Sequence, residues 1–172
     1  MGGKVKQKTY IVLGMHRTGT TFLTRCLEKS GVDMGGSGDK YRENPEFKAL
    51  NRKIIIGAGG GWESGSIPSP EENILAQQDN FDEKIKATIA HHKKQLWGFK
   101  DPRTALTARL LMPHILEVDD DPFLYCCFRR PGEIADSLNR RQGTPQDHGL
   151  VIAREYNTRL LNFLWDFCEL EK

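Results

Sequence analysis

The chain has 172 residues, 38% hydrophobic and 28% charged, which suits a water-soluble chain with a buried core and a single domain over residues 1–172. Its 25 Lys and Arg against 23 Asp and Glu leave a net charge of +2, too balanced to argue for nucleic acid as a partner. Its longest apolar runs, such as Ile54-Ile55-Ile56, fall far short of the roughly 18 residues of a membrane span. The N-terminus has no secretory apolar region, and Lys6 stands where a myristoylation motif needs Ser or Thr, so the expectation is a soluble, cytoplasmic protein without membrane attachment. Charge is unevenly spread: residues 1–60 carry eleven basic and five acidic side chains, residues 61–125 seven and eleven.

In chain order, Thr9 to Leu13 is a β-branched, apolar run that ends at Gly14 and predicts a strand running into a polar loop. A helix is expected from Thr20 to Ser30, with Phe22, Leu23, Cys26 and Leu27 on its buried face and Gly31 as its stop. Residues 33–45 have no periodicity and form a loop. Asn44-Pro45 then supplies a cap and a first-turn proline for a helix over Glu46–Ile56. The glycines at 57–61 end that helix, and a long surface loop carries Trp62. Ser69-Pro70-Glu71-Glu72 reads as the capped start of a third helix reaching Gln95. His91, His92, Lys93 and Lys94 at its end suit the helix dipole and read as helix-end charges rather than a site.

Leu96 to Lys100 predicts a buried strand with a polar exit, because Asp101-Pro102 cannot continue it. A helix over Thr104–Leu116 is expected to break at Pro113. Phe123 to Phe128 is the third strand, running into Arg129-Arg130-Pro131. A helix through Arg141 and a final amphipathic helix bearing Tyr156, Leu160, Leu161, Leu164, Trp165 and Phe167 complete the order. Cys26, Cys126, Cys127 and Cys168 form no C-x-x-C pair and read as reduced core residues; adjacent Cys126 and Cys127 should point to opposite faces. No metal is expected.

Strands alternating with helices predict an α/β fold with a mainly parallel sheet, whose ligand crevice lies at the carboxyl ends of the strands. All three predicted strand ends carry polar residues. The first runs into GMHRTGTT, where Gly14 and Gly19 have the spacing of a phosphate-binding loop between strand and helix. Thr20-Thr21 stands where a nucleoside-triphosphate loop has Lys and Ser or Thr, and the cation lies inside the loop at Arg17, where a guanidinium can fork onto two anion oxygens. His16 reads as a residue lining that loop. The alternative is that both glycines merely serve a βα turn, but strand, helix, arginine and hydroxyls together specify an anion site.

GMHRTGTTFL resembles the 5′-phosphosulfate loop of sulfotransferases, and CFRRPGEIADSL resembles their 3′-phosphate motif, an Arg at a strand end and a Ser eight residues on. YRENPEFKALNRKI, Trp62 and WGFKDPRT look like softer blocks of bacterial-type sulfotransferases, so the resemblance spans about residues 9–165. It implies a three-layer α/β sandwich like that of P-loop nucleotide hydrolases. It also implies transfer of a sulfuryl group from 3′-phosphoadenosine 5′-phosphosulfate, leaving adenosine 3′,5′-bisphosphate, to a hydroxyl or amine of a carbohydrate or small-molecule acceptor. By that resemblance Arg17, Thr18, Gly19, Thr20 and Thr21 bind the 5′ side, Arg129 and Ser137 the 3′-phosphate, with Arg130 able to replace Arg129. Glu43 matches the family's acidic base, with Glu46 and Asp101 behind it, and Lys100 is a second cation over the transferring group. Many family members continue past a last helix of this kind; a compact version, contacts from a second subunit in a homo-oligomer, and a fragment remain open. A P-loop kinase or hydrolase, and a non-catalytic nucleotide-binding module, are the alternatives.

Overall fold

The computed structural model describes residues 7–36, 38–61, 63–92 and 94–169. Trp62, Lys93 and Lys6 lie outside them. Within them the chain forms β1 (Lys8–Leu13), α1 (Thr20–Lys29), α2 (Pro45–Gly57), α3 (Glu71–Leu75), α4 (Gln78–His92), β2 (Leu96–Lys100), α5 (Thr104–Leu116), β3 (Phe123–Cys126), α6 (Pro131–Gln142) and α7 (Gln146–Glu169). The fold is α/β. Its sheet has three parallel strands in the order β2-β1-β3, with Ile11 opposite Phe99 on one side and Leu124 on the other. No helix is long and apolar enough to cross a membrane among the described residues.

Alternation along β1 sorts its side chains between two clusters. Ile11 and Leu13 join the larger core with Phe47, Phe99, Leu111, Ile152 and Leu160, while Val12 packs with Leu27, Val32 and Met34 beyond the other face. Cys126 and Cys127 divide the same way, as their adjacency requires. All four cysteines are free, but Cys26 and Cys168 are exposed, so the core assignment fails for those two. α5 is buried almost all round and packs against α2, α3, α4, α7 and β1.

Several predicted boundaries hold. α2 begins at Pro45, with Asn44 Oδ1 accepting from the amides of Glu46 (3.1 Å) and Phe47 (3.3 Å). Gly31 follows α1 at φ 92° and Gly143 ends α6 at φ 73°, the left-handed stop that glycine permits. Others are corrected. The third helix is two helices, because after α3 the amide of Gln77 turns back to the Ile74 carbonyl and α4 starts afresh; this bend brings both Ile74 and Ile85 into the core. Ser69 is not the cap: Pro70 precedes Glu71, and the Ser69 carbonyl accepts from Arg159 instead. Pro113 does not break α5; it sits on the exposed side, where a carbonyl deprived of its amide partner can be hydrated.

β3 is shorter than expected and half-buried, although the Cys127 amide still reaches the Leu13 carbonyl at 2.8 Å. α1 turns inward through Thr20, Thr24 and Leu27, leaving Phe22 75% exposed. On α7, Tyr156 and Leu160 are buried but Leu161 and Trp165 are not.

Candidate functional site

The carboxyl ends of the three strands meet around the loop that joins β1 to α1. Gly14 enters this loop at φ 144°, and a Cβ there would lie 2.6 Å from the Cys127 carbonyl oxygen, so only glycine lets β1 pass so close to the end of β3. Arg17 and Gly19 both have positive φ, 75° and 99°. For an arginine this is a strained backbone, held here by its surroundings. The Thr18 hydroxyl donates to the Met15 carbonyl (2.8 Å) and braces the turn. The amides of Gly19, Thr20 and Thr21 make no backbone hydrogen bond among the described residues, and they open α1, where the N-terminus of a helix can hold an anion.

Arg17, Arg129 and Ser137 come together. Arg17 donates from Nε to the Ser137 Oγ at 2.7 Å, and Arg129 donates to the Arg17 carbonyl at 3.2 Å. Ser137 is buried, whereas Arg17 and Arg129 are exposed, and Glu133 holds the Arg129 Nε at 2.8 Å. Arg130 is exposed at the entry to α6.

Two cavities flank Thr20 and Thr21. The first, about 390 Å³, is lined by Arg17, Gly19, Thr20, Thr21, Phe22, Arg25 and Arg129, so three arginines face it and no acid does. The second, about 480 Å³, shares Arg17, Thr20 and Thr21 with the first and adds His16, Glu43, Lys48, Lys100, Arg103 and Arg141.

Glu43 is central to the second cavity and is only 5% exposed. Its carboxylate meets Lys48 at 2.7 Å, Lys100 at 3.5 Å and Arg103 at 3.9 Å. Burial pushes its pKa up, but the Lys48 hydrogen bond and the charges of Lys100, Lys48 and Arg103 outweigh that and hold it below the ordinary carboxylate value. Lys100 is 2% exposed, and desolvation lowers its pKa against the opposing pull of Glu43 and Asp101. Asp101 lies behind, bound to Arg103 (2.7 Å) and to Asn51 of α2 (3.1 Å). Asn51 also donates to Thr104 and accepts from Thr107, tying α2 to the start of α5.

His16 lines the same cavity. Its Nε2 is shut off from solvent with no hydrogen-bond partner, and burial together with the charges of Arg103, Lys100, Arg141 and Lys48 holds its pKa well below 6.5. The imidazole is therefore neutral at neutral pH. Tyr41 closes one side: its carbonyl accepts from Thr21 Oγ1 and Lys100 Nζ, both at 3.1 Å, and Arg141 lies over its ring while donating to its hydroxyl at 2.8 Å.

Sequence reasoning missed Lys48, Tyr41, Arg141 and Arg25 as lining residues. Lys48 carried a signal, since it falls one helical turn after the Asn44 cap and so returns toward the strand ends. Arg103 stood in the polar run after β2, but nothing local marked Tyr41 or Arg141. Trp62, expected against an acceptor, lies outside the described residues.

Fold and site together define an α/β protein with a cationic crevice at the carboxyl ends of a parallel sheet, divided by the N-terminus of a helix. No known protein family, curated protein or solved structure matches the chain.

Proposed function

We propose that the chain is a sulfotransferase that moves a sulfuryl group from 3′-phosphoadenosine 5′-phosphosulfate to a hydroxyl or amine of a carbohydrate or small-molecule acceptor. The observation that carries this reading is the hydrogen-bonded link from Arg129 through Arg17 to Ser137. It joins two motifs 112 and 120 residues apart in sequence at a junction between two cavities. A donor with phosphates at both ends of a nucleoside needs two anion sites. A triphosphate in a row needs one loop with a lysine, which this loop lacks. The finer architecture that goes with this reading is a three-layer, P-loop-like sandwich.

The residues present suit that co-substrate. The three-arginine cavity takes the 3′-phosphate end of the donor, and Arg17, the Thr20 hydroxyl and the amides that open α1 hold the 5′-phosphate. The donor supplies a sulfuryl group on a phosphate leaving group. As charge builds on that phosphate, Arg17 and the α1 N-terminus stabilise it. Lys100, fixed by Glu43 and the Tyr41 carbonyl that also accepts from Thr21, adds a second cation to the same cavity. Glu43 takes the acceptor's proton, and the cations that keep it ionised also make it a weak base.

Incubation with sulfur-labelled donor and a panel of carbohydrate, phenol and amine acceptors tests this reading. Label should pass to at least one acceptor class, with turnover abolished in Arg17→Ala and reduced in Glu43→Gln. Undiminished turnover in Arg17→Ala contradicts the assignment of that residue, and a pH profile unchanged in Glu43→Gln removes Glu43 as the base.

A further inference from the structure

Outside the crevice, the start of α2 and the end of α4 bring three metal-ligating side chains to one point. Glu46 is the second residue of α2, and His91 and His92 are the last two of α4. His91 Nδ1 lies 2.9 Å from Glu46 Oε1 and 3.0 Å from Oε2, and His92 Nε2 lies 3.2 Å from Oε2. One ligand atom from each of the three falls within 4.8 Å of the others. Ligands around a tetrahedral zinc, with bonds of about 2.0–2.1 Å, stand roughly 3.3 Å apart, so small side-chain adjustments place a single ion between them.

A second observation separates this cluster from ordinary ion pairs at a helix end. His92 Nε2 is shut off from solvent, and its approach to Glu46 at 3.2 Å is poorly aligned for a hydrogen bond. A buried nitrogen so weakly satisfied is costly, and a bound cation would use its lone pair fully. The ring is also held in place, with Phe47 tilted against it at 5.6 Å between centroids. Gly35 passes close by without a side chain; a Cβ there would approach the His92 ring at 3.7 Å.

We propose that Glu46, His91 and His92 form a site for a single divalent transition ion of the zinc, cobalt or nickel type, clipping the first turn of α2 to the last turn of α4. Two imidazoles and one carboxylate suit these borderline ions and not magnesium or calcium, which take oxygen ligands. Three protein ligands leave a fourth position to water. The clip stands apart from the proposed reaction, whose cavities do not include these residues. Its consequence is mechanical: Glu43 and Lys48 flank Glu46 in the chain, so the ion would fix the segment that carries them.

The test is calorimetric titration of chelator-stripped protein with zinc chloride, paralleled by visible absorption on adding cobalt(II). One ion per chain is expected, with the visible bands of a four-coordinate cobalt site. His92→Ala and Glu46→Gln should each weaken binding roughly tenfold or more, and His148→Ala, whose ring bonds to the Gly65 carbonyl outside the cluster, should leave it unchanged. Circular dichroism of each metal-free variant checks that it is folded. Absence of zinc binding overturns the proposal. So does binding that survives in His92→Ala and Glu46→Gln, which would mark an adventitious surface ion only.

Discussion

His16 shows most plainly how single residues in this crevice answer to their surroundings. Four cations, Arg103, Lys100, Arg141 and Lys48, add to burial in keeping its imidazole neutral. The sign of the linkage follows. An unfolded His16 takes up a proton as pH falls through 6.5, the folded one does not, and so the unfolded state binds more protons and stability falls with pH in that window. Urea unfolding at about pH 5 and about pH 7 should show a loss of stability in the parent that is smaller in His16→Gln. Equal losses in both proteins would mean that His16 is not held neutral in the fold. The opposite case sits beside it: Glu43, kept below the ordinary carboxylate value by the same cations, contributes stability above the unfolded carboxylate's pKa and loses it only at lower pH.

At the scale of elements, α2 carries the most information. Its Asn44 cap holds two amides, its Asn51 reaches the Asp101 network, and its Phe47 stacks on Phe99 with ring centroids 3.6 Å apart. Asn44→Ala removes both cap bonds at a buried position, so it should cost about 1–2 kcal/mol of stability. Thermal unfolding measures this, and a melting temperature equal to the parent's would show that the cap is dispensable.

The start of α2 was readable because Asn-Pro is a local signal that tertiary structure has no reason to overrule. The opposite faces of Cys126 and Cys127 were readable for a similar reason, since alternation is a property of any strand. The division of α3 from α4 was not, because no proline or glycine marks residues 76–77 and the bend answers to burial of Ile74 and Ile85 in one core. The inward face of α1 was misjudged because apolar residues were counted, whereas the helix buries Thr20 and Thr24 beside the loop. At the site, loop residues announced themselves through glycine spacing. Tyr41 and Arg141 are 100 residues apart and meet only through the fold.

For the molecule as a whole, the uneven charge read from the sequence acquires a location. Arg17, Arg25 and Lys48 come from the basic first third, and Lys100, Arg103, Arg129 and Arg141 reach the same crevice from β2, the residue before α5, the loop between β3 and α6, and α6. Two acids, Glu43 and Glu63, line the larger cavity, and none lines the smaller. Such a crevice concentrates field on a polyanion, and binding there should weaken as ionic strength rises. On the proposed function this polyanion is a nucleoside carrying phosphate at both its 3′ and 5′ positions. Calorimetric titration with adenosine 3′,5′-bisphosphate, set beside ATP with magnesium, on the parent and on Arg129→Ala, tests that most directly. Bisphosphate should bind in a manner that depends on Arg129, with ATP weak; tight magnesium-dependent ATP binding without bisphosphate binding would contradict a sulfotransferase donor site and point to a P-loop kinase or hydrolase.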